Sequence, residues 1–224
     1  FIFRIMNLSI AEENYIKSIY KLEEGQEAVS TNALAYELDT KPASVTDMAK
    51  KLKEKKLIAY EKYQGINLTS EGKKAALQII RRHRLWECFL VEKLSFSWEE
   101  VHELAEELEH VRSEKLTTRL SEFLGNPQID PHGDPIPDAQ GKMGKPRVQT
   151  SLHKSKANRL EVMAVSDKST ALLEFLNTKG VRLGTQLDVI ERYEFDNSIE
   201  IKIKNQPAFT ISEQVAKSIM VKPI

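Results

Sequence analysis

KPASVTDMAKKLKEKKLIAYEKYQGINLT, from Lys41 to Thr69, is the stretch on which the fold turns. Pro42 suits a first helical turn, where a backbone N–H has no intrahelical partner to lose. Val45, Met48 and Leu52 then fall on one stripe of a helix, while Ala43, Asp47 and Lys50 take the opposite face, flanked by Ser44 and Thr46. Two short β-prone runs follow on either side of Gln64-Gly65, the pattern of a hairpin.

Upstream, EENYIKSIYKLEE places Tyr15, Ile16, Ile19, Tyr20 and Leu22 at amphipathic helical spacing, and STNALAYELDT is a shorter helix with Ser30 or Thr31 as its N-cap. Three helices and a hairpin in this order make a winged helix-turn-helix. Downstream, Thr69 or Ser70 caps a long helix, and a helical pattern in two pieces runs from about Trp98 to Leu124. GNPQIDPHGDPIPDAQGKMGKPR is dense in Pro and Gly and reads as a loop and linker. The period then changes: RLEVMAV and QLDVIERYEF alternate like strands, Asp196-Asn197 suggests a turn before IEIKIK, and STALLEFLNTKG is a helix closing on Gly180. ISEQVAKSI adds a turn or two of helix and MVKPI a last strand. The class is mainly α with a C-terminal β module.

Lys+Arg and Asp+Glu are both 33, so net charge says nothing about partners and any nucleic-acid reading rests on local patches. The patch is here: between Lys41 and Lys62 seven lysines stand against three acids. A basic third helix opening with small hydroxyl residues suits a DNA major groove. Ser44 and Thr46 face phosphates or base edges, and lysines such as Lys50 and Lys51 neutralise phosphates. Ala43 and Asp47 share that face, although a carboxylate there accepts only from cytosine or repels phosphate. The single cysteine, Cys88, excludes an intramolecular disulfide and fits a reducing cytoplasm. No stretch is long and apolar enough to span a membrane, and Met6 is the expected natural start, with the five residues before it an upstream extension.

VHELAEELEH, Val101 to His110, raises the question of a metal. On one helix His102, Glu106, Glu109 and His110 cover an arc of roughly 100°. Val101, Leu104, Leu108 and Val111 take the side that would bury, and Glu103 and Glu107 widen the polar face. On that wheel alone a solvated acidic face is the simpler reading. His83 and Glu87 on the preceding helix shift the balance, because an imidazole and a carboxylate one turn apart can share a metal. His132, among prolines and glycines, reads as a turn residue rather than a ligand.

These segments, with EENYIKSIYKL, the whole run from Lys41 to Ala76, IIRRHRLWECFLVEKL, DPHGDPIP and LLEFLNTKGVRLGTQLDVIERY, resemble the diphtheria-toxin-repressor and manganese-transport-regulator family of metal-dependent transcriptional regulators over nearly the whole chain. The resemblance implies a winged helix-turn-helix domain at 6–78, a helical dimerisation and metal-binding domain at 79–147, a linker at 148–158 and an SH3-like small barrel at 159–224, of the kind found in ferrous-iron transport accessory proteins. It implies two metal sites per subunit: His83, Glu87 and His102 completed by Asp167, and Glu106, Glu109 and His110 with Asn14. Position 14 is Asn where relatives often have Asp or Met. Position 106 is Glu where iron-type members have Cys, a harder oxygen that favours Mn²⁺ and stays compatible with Fe²⁺. Lys17 stands where a bacillus-type manganese member supplies Glu, which argues for two separated sites. The implied protein is a cytoplasmic homodimer that binds double-stranded operator DNA, with metal as corepressor of manganese or iron uptake genes. Two rivals stand beside it: a metal-independent winged-helix regulator holding a structural ion, and a metallohydrolase, which lacks an obvious further base or substrate pocket.

Overall fold

The computed structural model describes residues 8–23, 28–61, 65–144, 149–166 and 169–224. By its own contacts the chain forms two compact units, one of Phe1–His83, Glu107–Thr118 and Pro137–Met143, the other of Arg84–Glu106, Arg119–Ile136 and Gly144–Ile224.

The first unit begins with α1 (Ile10–Glu23), α2 (Thr31–Glu37) and α3 (Pro42–Glu54). A reciprocal capping box starts α1: the Ser9 amide donates to Glu12 Oε2 at 2.7 Å and the Glu12 amide donates to Ser9 Oγ at 3.2 Å. Ser30 caps α2, its hydroxyl accepting from the Ala33 amide at 3.1 Å. Pro42 opens α3 as its spacing predicts. The hairpin pairs β1 (Ile58–Glu61) with β2 (Gly65–Leu68), Ile58 opposite Leu68. Gln64 of the expected turn lies outside the described residues, whereas Gly65 begins β2 with φ +97° and its Cα faces Ala28 so closely that a Cβ would lie 2.8 Å from the Ala28 Cβ. Ile16, Ile19, Leu34, Val45, Leu52, Leu57, Ile66 and Ile79 form the core with no more than 1 % exposure each. Burial of each such side chain is worth about 1.5–3 kcal/mol, which sets three helices and a hairpin around one centre.

Helix α4 (Ser70–Leu94) follows, with Thr69 as the cap whose hydroxyl accepts from the Gly72 amide at 3.1 Å. Gly72 has no substitute here: a Cβ would stand 2.0 Å from the Leu57 carbonyl oxygen. Two shorter helices, α5 (Val101–Leu108) and α6 (Glu114–Phe123), come next.

The second unit carries a six-stranded antiparallel sheet built from β3 (Thr150–Ser151), β4 (Arg159–Val165), β5 (Gln186–Arg192), β6 (Ile199–Ile203), β7 (Phe209–Ile211) and β8 (Ile219–Pro223), in the order β3-β8-β4-β5-β6-β7. Helices α7 (Thr170–Thr178) and α8 (Glu213–Ser218) complete it. Strands β4, β5 and β6 bury alternate residues, Leu160 and Val162, Leu187 and Val189, Ile199 and Ile201, against Leu173 and Leu176 of α7. Strand β5 ends at Arg192, short of the expected Phe195, because the chain turns there: the Tyr193 amide donates to the Ser198 carbonyl at 3.0 Å and closes the connection to β6. Trp98, just ahead of α5, inserts into this core. Among the described residues no helix is long and apolar enough to cross a membrane.

Candidate metal centre and nucleic-acid face

The expected DNA face of α3 is open. Ala43, Ser44, Asp47, Lys50 and Lys51 are exposed and Thr46 is half-buried, while Val45, Ala49 and Leu52 anchor the other side. Asp47 accepts from Lys50 Nζ at 3.0 Å, so part of its charge is balanced within the helix. Thr46 donates its hydroxyl to the Pro42 carbonyl at 3.1 Å. At the end of α3, Lys55 Nζ lies 2.6 Å from Glu12 and ties the helix back to α1. Burial raises the Glu12 carboxyl, but hydrogen bonds from Lys55 and Ser9 outweigh it and hold it below its ordinary value.

Two buried carboxylates organise the acid and imidazole residues of the first unit. Glu109, with no exposed surface, meets Lys17 Nζ at 2.7 Å and His83 Nδ1 at 2.7 Å. Its burial raises the pKa, yet the His83 hydrogen bond and the Lys17 ammonium bring the net shift below the usual carboxylate value. Glu13, 3 % exposed, faces an imidazole and two guanidinium groups: His110 Nδ1 at 2.6 Å, Arg82 at 3.0 Å and Arg112 at 3.1 Å. Arg82 also donates to the Glu109 carbonyl.

That last contact bears on the helix wheel. Helix α5 stops at Leu108, and Glu109 and His110 sit in the turn beyond it, with the Glu109 carbonyl taken by a guanidinium instead of an onward helical N–H. The four-residue arc on one helix is therefore a two-residue arc, His102 and Glu106, followed by a turn. The buried stripe is also rotated from the expected one: Val101, Ala105 and Glu109 are buried, Leu104 and Leu108 are half-buried and Val111 is exposed. Glu103 and Glu107 are exposed, as a solvated edge requires.

In the second unit the central group is Glu87, a carboxylate with 0 % exposure. His102 Nδ1 lies 3.2 Å from its Oε1, and His102 Nε2 lies 3.7 Å from the exposed Glu106. His83 precedes Glu87 by one turn of the continuous helix α4. His132 approaches the same Glu87 oxygen, Nδ1 to Oε1 3.6 Å, and stacks on Trp98 with ring centroids 5.9 Å apart. Asp130 Oδ2 lies 3.5 Å from Arg84 Nε. An imidazole and carboxylate set of this kind suits a first-row divalent ion, and its buried negative charge gives such an ion a reason to bind.

Asp167 lies outside the described residues. Asn14 is half-buried, and the carboxylate that His110 meets is its neighbour Glu13. Sequence reasoning misses Glu13 because an acid in the first turn of a helix is ordinary dipole chemistry. Of its partners, Arg82 and His110 stand 69 and 97 residues away, where no local period reaches. Asp130 escapes for another reason: it sits in a loop whose Pro and Gly content suggests exposure, yet it is 1 % exposed.

Three family models cover most of the chain. Residues 7–66 match the iron dependent repressor N-terminal DNA binding domain, residues 69–138 the iron dependent repressor metal binding and dimerisation domain, and residues 155–223 the FeoA domain. The iron-dependent repressor IdeR of Mycobacterium tuberculosis is 35% identical over 125 residues, 56% of this chain and 54% of that protein, so the match spans about half of that relative. The HTH-type transcriptional regulator MntR of Oceanobacillus iheyensis is 38% identical over 112 residues, 50% of this chain and 76% of that protein. A solved manganese-dependent transcriptional repressor in complex with manganese superposes with a TM-score of 0.85 at 34% identity, covering 95% of this chain and 100% of that one.

Proposed function

The chain belongs to the iron-dependent repressor family, the diphtheria-toxin-repressor and manganese-transport-regulator group, and on that premise we propose that it is a DNA-binding repressor of manganese or iron uptake genes whose corepressor is a divalent metal. The observation that carries the reading is Glu87, a carboxylate with 0 % exposure, one turn from His83 on α4 and 3.2 Å from His102 Nδ1. A buried carboxylate beside imidazoles is costly unless a cation compensates it.

His83, Glu87 and His102 would hold one ion, with Asp167 from the SH3-like domain as a further ligand. Glu106, Glu109 and His110 with Asn14 would hold a second. In both sets the ion supplies positive charge, and no bond is made or broken, so no enzymatic step is involved. The side chains do the rest. Asn14 lies on α1 of the DNA-binding domain, so its engagement biases that domain toward one arrangement in a homodimer, and the population that fits operator DNA rises. Ala43, Ser44, Thr46, Asp47, Lys50 and Lys51 then meet the duplex, the lysines on phosphates. Lys17 Nζ on Glu109 at 2.7 Å supports separated sites over a close binuclear cluster, because an ammonium already stands beside that carboxylate. The oxygen of Glu106 in place of a thiolate favours Mn²⁺, with Fe²⁺ compatible. The protein works in the cytoplasm, where its DNA is.

The test is duplex DNA affinity, measured by fluorescence anisotropy on a duplex selected from a random library, with Mn²⁺ and after rigorous chelation. Tighter binding with Mn²⁺ supports the proposal. Equal affinity in both conditions favours the metal-independent regulator instead.

A further inference from the structure

His110, in the turn beyond α5, is held from one side by a carboxylate of α1. Its Nδ1 lies 2.6 Å from Glu13 Oε2, and among the described residues no hydrogen bond or ion pair reaches its Nε2. Glu13 is 3 % exposed and the His110 side chain 12 %. Both residues, with Arg82, Glu109 and Arg112, belong to the first unit.

That contact assigns the two ring nitrogens. A carboxylate oxygen can only accept, so Nδ1 carries the proton it donates. In the neutral imidazole the lone pair is then on Nε2, across the ring from Glu13. A metal-ligating histidine commonly gives its other N–H to a carboxylate in this way, which fixes both the tautomer and the orientation of the ring.

Glu13 is itself fixed. Arg82 Nη2 donates to its Oε1 at 3.0 Å, and Arg112 Nε lies 3.1 Å from the same oxygen. The two carboxylate oxygens therefore have separate partners, guanidinium groups on Oε1 and the imidazole on Oε2. Arg82 Nε also donates to the Glu109 carbonyl. One planar guanidinium thus holds both the carboxylate and the peptide that leads into His110.

We propose that Glu13 is a positioning residue for the second ion: it holds His110 as the Nδ1–H tautomer, so that Nε2 is the nitrogen offered to metal. The inference rests on the reading of His110 as a ligand of that ion, and it gives Glu13 no contact with the metal. Neighbouring residues of α1 then take different roles, Asn14 toward the ion and Glu13 toward the imidazole.

The separate partners make Glu13→Gln informative beyond its loss of charge. Arg82 and Arg112 can only donate, so they retain the glutamine carbonyl oxygen at the Oε1 position. The amide NH₂ then stands at the Oε2 position and donates to Nδ1, which moves the imidazole proton to Nε2 and blocks that nitrogen as a ligand.

The test uses the full chain with ¹⁵N-labelled histidine at a pH above the ordinary imidazole range, first stripped of metal and then titrated with Zn²⁺. The His110 resonances are identified by their loss in His110→Gln. Metal-free wild type is expected to show a protonated Nδ1 and a lone-pair Nε2, and Glu13→Gln the reverse. On titration the wild-type Nε2 resonance shifts, and Glu13→Gln raises the Zn²⁺ midpoint at that resonance at least about tenfold. An Nδ1 without a proton in the metal-free wild type overturns the proposal. A raised midpoint without the tautomer reversal overturns it too, because charge and not orientation is then the cause. A wild-type Nε2 unmoved at saturating Zn²⁺ removes His110 from the ion's ligands, and the proposal falls together with the reading it rests on. A shifted wild-type Nε2 with an unchanged midpoint in Glu13→Gln sinks the positioning role alone. Should Glu13→Gln fail to fold, the loaded wild type decides: Nδ1 must keep its proton, and coordination through Nδ1 refutes the proposal.

Discussion

Glu13 is the residue on which the acid and imidazole cluster of the first unit depends, and its removal tests the description of that cluster. Its carboxylate side chain is 4 % exposed and faces Arg82, Arg112 and His110, whose side chains are 13 %, 26 % and 12 % exposed. Surface ion pairs are worth about 0–1 kcal/mol, but breaking a buried pair leaves a desolvated charge behind and costs about 3–5 kcal/mol. Glu13→Ala is expected at that level. Glu13→Gln keeps the acceptor oxygen and loses the charge, so its cost is set by hydrogen bonds to charged groups, about 1.5–3 kcal/mol. The measurement is urea unfolding of metal-free protein followed by far-UV circular dichroism, which reports the helices of both units, while both tryptophans, Trp86 and Trp98, lie in the second and their fluorescence serves as an internal control. The expected order of stability is wild type, Gln, Ala. A loss under about 1 kcal/mol for Glu13→Ala would refute the reasoning, since it would place the cluster in the range of exposed pairs.

Three other outcomes follow from the same geometry. Lys50→Ala with Lys51→Ala should weaken DNA binding across sequences and flatten the dependence of log affinity on log salt by about 0.9 for each phosphate no longer neutralised, measured by anisotropy over a salt series. Gly133→Ala should cost about 1–3 kcal/mol from the clash with the Met163 carbonyl alone, with further cost from its φ of +92°, read as an earlier thermal transition of Trp98 fluorescence. Glu12 has a folded pKa below its unfolded one, so its contribution is present above the ordinary carboxylate range and is lost as pH falls through the depressed folded value. Glu12→Gln should remove that part of the acid sensitivity, and an unchanged pH profile of urea stability would mean that the Ser9 capping box and Lys55 do not hold the charge.

Much of the fold is open to local reading. Pro42 at the start of α3, Ser30 and Thr69 as caps, and the paired runs of the hairpin are short-range signals, and the structure contains each of them. The short strands β3 and β7, of two and three residues, are not legible because alternation needs more residues than that to stand out. The end of α5 is hidden because no Pro or Gly marks it; the Glu109 carbonyl just beyond it accepts from a guanidinium of α4, a long-range partner that no local signal announces. His132 belongs to a turn, as its neighbours suggest, but lies on the inside of it, since Pro and Gly report backbone shape and carry no information about what packs over the loop.

By itself the sequence determined the order of the elements, the buried side of α3 with its open basic face, and the acids and imidazoles of α4 and α5. These depend on periods of two or 3.6 residues and on caps only three residues long. The tertiary structure alone decided which carboxylate meets which imidazole: Glu13 with His110, Glu109 with His83, Glu87 with His102 and His132. Those pairings close over separations of up to 97 residues. Hydrogen bonds and coordination discriminate on a scale of tenths of an ångström, and only the packed cores around α1, α4 and β4 set positions that finely.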